Sequence, residues 1–114
     1  MDGEIGTTRA AQNQSLYRSI NERVRTLNET FEEIAPRGSA WVCECADTQC
    51  TRRIAATLTE YEAVRANPRA FLVYSGHVYP EVERILDEND RFTTVEKIEN
   101  AGRIAESLDP RRTS

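Results

Sequence analysis

From Ser15 to Ile34 the apolar positions Tyr17, Ile20, Val24, Leu27, Phe31 and Ile34 recur at alternating steps of three and four, with Leu16 beside them. That period marks one stripe along an α-helix. Pro36 and Gly38 end it, because proline drives the residue before it into extended geometry and glycine tolerates positive φ. An amphipathic helix over residues 13–35 is expected. The stripe also fills heptad positions for about two and a half heptads. It is read as packing on its own domain, with a homodimer or partner seam through the same helix as the alternative.

Beyond Gly38 the period changes. Ala40 to Cys45 reads as a strand with Trp41, Cys43 and Cys45 on one face, and Arg53 to Leu58 as its return, which makes a hairpin with thiols at the tip. Thr59-Glu60-Tyr61-Glu62 matches a reciprocal capping pattern and starts a short helix to about Ala66, closed by Pro68. Ala70 to Tyr74 suits a buried strand and leads into the loop Ser75-Gly76-His77-Val78-Tyr79-Pro80. Val82, Ile85 and Leu86 favour a helix over Glu81 to Glu88, against a hairpin turning at Asn89-Asp90. Phe92 to Ile98 reads as a strand, and Ile98, Ala101, Ile104, Ala105 and Leu108 as a helix weakened by Gly102.

At 114 residues this pattern fits one domain over 13–108, between flexible tails at 1–12 and 109–114. A net charge of −4 weighs against broad capture of nucleic acid, which depends on basic residues neutralising phosphates. No stretch approaches the roughly 20 apolar residues that span a bilayer, so no membrane role is expected. The first nine residues lack the apolar run of a signal peptide, and the three cysteines lack the spacing of a disulfide framework. A cytoplasmic protein with reduced thiols is the expectation.

Cys43, Cys45 and Cys50 place three soft donors within one short turn. Such a set selects zinc or a related soft metal, and a structural zinc site wants a fourth ligand. His77, the lone histidine, is the natural one because the loop around Gly76 can carry its ring back to the hairpin tip. Asp47, Glu44, a residue of a second chain or water are the competitors. Glu44 lies between two ligands on a strand and should point away from them.

The spacing Cys43-x-Cys45-x₄-Cys50 resembles the post-SET zinc motif of histone lysine methyltransferases, in which three such cysteines share a zinc with one more from the catalytic domain. The resemblance implies metal geometry and no methyltransferase activity, since no such core is present. As a whole, with its polar helix, cysteine knuckle, Glu60-Tyr61-Glu62-Ala63-Val64-Arg65 and Gly76-His77 in that order, the chain is also similar to short bacterial proteins of unassigned activity.

The fold class expected is α+β: a small sheet with a zinc-knuckle hairpin, a long amphipathic N-terminal helix and short helices. The leading function is a zinc-stabilised protein-interaction or regulatory adaptor without catalytic activity. Its partner-binding surface is placed at Tyr74 and Tyr79, with Arg52 and Arg53 beside the knuckle. A nucleic-acid-binding zinc module is one alternative, using Arg52, Arg53, Arg65 and Arg69 as a basic face and Trp41, Tyr74 and Tyr79 for stacking. A thiolate-based redox or metal sensor is another. The acidic run Glu81, Glu83, Asp87, Glu88 and Asp90 is read as a solvated face.

Overall fold

The computed structural model describes residues 2–31, 39–45, 47 and 49–111; within the first helix it describes the side chains of residues 11–26. The element order is α1 (Asp2–Phe31), β1 (Ser39–Val42), β2 (Arg53–Ala56), α2 (Leu58–Arg65), β3 (Ala70–Val73), β4 (Glu83–Glu88), β5 (Thr93–Lys97) and α3 (Glu99–Ser107). The architecture is α+β, but the strands form two antiparallel sheets rather than one: a β1-β2 hairpin and a three-stranded sheet in the order β3-β5-β4. α1 is already helical at Asp2, well before the expected start at residue 13, and the expected end at 35 lies outside the described residues.

Trp41 and Tyr61 anchor the hydrophobic core. Both are fully buried, and their rings stack at 4.0 Å with 9° between planes. Their polar ends are satisfied as burial demands: Trp41 Nε1 donates to the Ala56 carbonyl at 2.8 Å and the Tyr61 hydroxyl to Glu22 at 2.6 Å. Phe71, Leu72 and Val73 of β3, with Val95 of β5 and Ala105 of α3, complete the same cluster. β3 is buried at every position, as its unbroken apolar run predicts.

Three expectations are corrected. First, among the described side chains α1 buries a polar face more fully than its apolar stripe, of which Val24 packs against the core. The described side chains it buries are Ala11, Gln14, Ser15, Arg18 and Asn21, while Leu16 and Ile20 are 60% and 40% exposed. Tyr17 and Val24 are half-buried. Long-range hydrogen bonds select the polar face: Gln14 reaches Glu83, Arg18 reaches the carbonyls of Pro68 and Ala105, and Asn21 reaches Val42 and Glu44. Hydrophobic periodicity cannot register such partners, because they come from distant elements.

Second, Glu83–Glu88 is a strand, not a helix. Pairing with β5 overrides the helical spacing of Val82, Ile85 and Leu86, and a bulge between Ile85 and Asp87 accommodates the extra residue. The hairpin turns where Asn89 accepts from the amides of Arg91 and Phe92 at 2.8 and 2.9 Å. The acidic run is accordingly not all solvated. Glu83 and the single lysine, Lys97, form an ion pair at 3.0 Å with both side chains fully buried.

Third, the capping box lies two residues earlier than expected. Thr57 accepts from the Glu60 amide at 3.1 Å and Glu60 accepts from the Thr57 amide at 2.8 Å. β2 ends at Ala56, so Thr57 is already in cap position, and Tyr61 is thereby turned onto Trp41.

Gly102 does more in α3 than weaken it. A Cβ there would lie 2.8 Å from the Lys97 carbonyl and 2.7 Å from the Arg69 guanidinium, so close approach requires glycine. The expected C-terminal tail is tied down at its start: Asp109 is buried against Arg65, and Arg111 pairs with Glu22 and Glu62.

Removing one member of the Glu83–Lys97 pair leaves a buried, uncompensated charge. Lys97→Met is expected to lower unfolding stability by about 3–5 kcal/mol in urea, and the double variant Glu83→Gln/Lys97→Met to recover much of that loss. A second prediction concerns acid. The hydrogen bond from Arg91 holds the Glu60 carboxyl down at about 2, below its ordinary 4.5. A depressed native pKa contributes stability above about 4.5 that is lost as pH falls through about 2. Both side chains are partly exposed, so the contribution is about 1 kcal/mol or less. Arg91→Gln should flatten this acid limb in a pH series of thermal melts.

Candidate metal centre

The site is built on one buried carboxylate. Past Val42 the chain leaves β1, and Glu44 enters the interior fully buried. Its amide donates to the Leu72 carbonyl at 2.8 Å, and its carboxylate accepts from the Leu72 amide at 2.8 Å and from Asn21 Nδ2 at 2.7 Å. Asn21 also bonds both backbone groups of Val42, at 2.7 and 2.8 Å. Glu44 therefore does point away from the thiols, as alternation requires, and serves as a clamp to β3 and α1. Desolvation pushes its carboxyl up to about 7 despite the pull of these hydrogen bonds.

With Glu44 turned inward, Cys43 and Cys45 on either side of it face the other way, each only 1% exposed. A turn returns the third thiol: the Cys50 amide donates to the Asp47 carbonyl at 3.1 Å and the Gln49 amide to Asp47 Oδ1 at 2.9 Å. Neither Asp47 nor Glu44 stands among the grouped donors; both carboxylates are engaged with backbone.

The histidine comes from beyond β3. The His77 amide closes a turn on the Tyr74 carbonyl at 2.9 Å, and Gly76 takes φ +87° inside it, a conformation that favours glycine. The turn puts His77 Nδ1 3.6 Å from the sulfurs of both Cys43 and Cys50. The Tyr74 amide donates to Cys43 Sγ at 3.1 Å, an interaction that stabilises thiolate. Ligand atoms of Cys43, Cys45, Cys50 and His77 all lie within 4.8 Å of one another. A hydrogen bond between Cys43 and Cys45 pushes the Cys45 thiol down and, together with burial, the Cys43 thiol up. The cluster is a Cys₃His donor set able to bind a metal ion.

A cleft of about 240 Å³ opens beside it, lined by Cys45, Asp47, Gly76, His77, Val78 and Tyr79. Tyr74 and Tyr79 are half-buried around this loop. Arg52 lies over the Tyr74 ring at 5.0 Å, and Arg53 is exposed on β2. Other residues once grouped with them are committed elsewhere. Trp41 is sealed in its stack, Arg65 is buried against Asp109, and Arg69 pairs with Glu106 at 3.1 Å.

No protein family, curated protein or solved structure matches this chain. Among the described residues no helix is long and apolar enough to cross a membrane.

Glu44→Ala would strand the Leu72 amide and release Asn21. It is expected to cost about 1–3 kcal/mol in urea unfolding of the metal-free protein. Metal affinity, measured by competition with a chromophoric chelator, should fall about ten- to a hundredfold, because the clamp orients two donors.

Proposed function

We propose that Cys43, Cys45, Cys50 and His77 hold one zinc ion, and that the chain is a zinc-stabilised protein-interaction or regulatory adaptor rather than an enzyme. The observation that carries this is the pre-assembled donor set, with His77 Nδ1 at 3.6 Å from two sulfurs. A tetrahedral ion with about 2.3 Å to sulfur and about 2.0 Å to nitrogen places such donors about 3.6 Å apart. Three thiolates and an imidazole favour zinc over harder ions.

Four protein donors complete the shell and leave no position for a reactive water, which is the mark of a structural rather than a catalytic zinc. The metal then takes over what a small apolar cluster would do elsewhere: it joins the β1-β2 hairpin tip to the loop after β3. A reducing, cytoplasmic setting keeps the thiols available for it. The loop Tyr74 to Pro80, fixed at His77, is pre-organised for recognition, with Tyr74, Tyr79, Arg52 and Arg53 as the contact residues.

Native mass spectrometry of protein purified without chelator should give one zinc per chain, absent in Cys50→Ser and His77→Ala. Chelation should lower the thermal midpoint of the wild type and leave those variants unmoved. Metal-free wild type overturns the assignment. For the adaptor role, Tyr79→Ala should retain one zinc yet lose cross-linking to a partner that the wild type captures; unchanged cross-linking removes the loop as the contact surface.

A further inference from the structure

The two outer strands of the three-stranded sheet differ sharply in cover. β3 is buried throughout, and Glu44 bonds both polar backbone groups of Leu72 along it. β4 pairs with β5 alone, so its other edge meets no strand among the described residues, and every residue from Arg84 to Glu88 is exposed. Such an edge carries backbone donors and acceptors that a further strand can use.

The bulge in β4 distributes its apolar side chains over both faces of the sheet. Ile85 stands opposite Val95 and Asp87 opposite Thr94; Val95 and Thr94 are neighbours on β5 and so point to opposite faces. Leu86 goes with Asp87, since both line a groove of about 310 Å³ together with Ala63 and Val64 of α2 and Phe92. Ile85 is 47% exposed and Leu86 44%. A partner lying on one face would cover only one of them, whereas a strand added to the edge reaches both.

Charge selects the occupant. Glu81, Asp87 and Glu88 are exposed and carry no ion pair among the described residues, and Asp90 has only Arg91, at 3.9 Å. The nearby bases are already paired, Arg84 with Glu96 at 2.7 Å and Arg91 with Glu60. A second copy of the chain would bring two such acidic strands together, and like charges on paired strands repel. A basic segment supplies the charge that this edge lacks.

We propose that the free edge of β4 takes up an extended basic segment of a partner protein. The segment's backbone pairs with β4, its lysines or arginines meet Asp87 and Glu88, and one of its apolar side chains enters the groove beside Leu86. None of the Cys₃His donors lines this groove, so the surface is separate from the loop around His77.

The test adds an acetylated, amidated octapeptide alternating valine and lysine to the full chain, followed by amide NMR and hydrogen exchange. Saturable shifts centred on Ile85 to Glu88 are expected, with slower exchange of the β4 amides as the added strand pairs. A peptide alternating proline and lysine carries the same charge but cannot join a ladder, and should bind about tenfold more weakly. Asp87→Asn/Glu88→Gln removes two exposed, unpaired carboxylates, so that variant should fold, and it should bind the valine-lysine peptide about three- to tenfold more weakly. Shifts that do not saturate or that centre elsewhere, equal binding of the proline peptide or of one alternating valine and glutamate, or unchanged affinity in the double variant would each overturn the proposal. So would sedimentation showing a dimer that Ile85→Lys disperses, which would give the edge to a second copy.

Discussion

The buried carboxylate of Glu44 organises this molecule. Three chain segments meet on it: the end of the β1-β2 hairpin through its own backbone, β3 through both polar groups of Leu72, and α1 through Asn21. A carboxylate withdrawn from water is tolerated only where hydrogen bonds replace its hydration, and here those bonds come from precisely spaced backbone and amide groups on separate elements. With Glu44 turned inward, Cys43 and Cys45 on either side of it stand in the donor group. The donor geometry is thus inherited from a polar contact that is not itself part of the donor set.

Polar burial recurs across the interior. α1 meets the rest of the fold through Gln14, Arg18 and Asn21, Lys97 meets Glu83, and Arg65 meets Asp109. Such contacts gain little net stability over apolar packing, but each tolerates few alternative partners. With Trp41, Tyr61, Phe71 and Phe92 as the buried aromatics among the described residues, the domain gains definition from them. A metal bridging the hairpin tip and the loop after β3 would add stability to the fold.

The Cys₃His group sits where two loops converge, so its donors are close in space through turn geometry at Asp47 and Gly76. Elsewhere, guanidiniums reach backbone carbonyls and shared carboxylates, Arg18 at Pro68 and Ala105 and Arg65 at Asp109.

Local pattern was enough for much of this protein. The cysteine cluster and the glycine beside His77 announce a donor set because soft-ligand chemistry and positive φ are properties of residue type and spacing. The hairpin, β3, β5 and α3 likewise follow from short-range period. Tertiary structure decided the rest. Which face of α1 is buried, whether Glu83–Glu88 pairs as a strand, and which threonine caps α2 all depend on partners far along the chain. Glu44, Asn21 and Arg65 read as ordinary surface residues in one dimension, since a charge declares its burial only through the groups that compensate it, and those groups are assembled by folding.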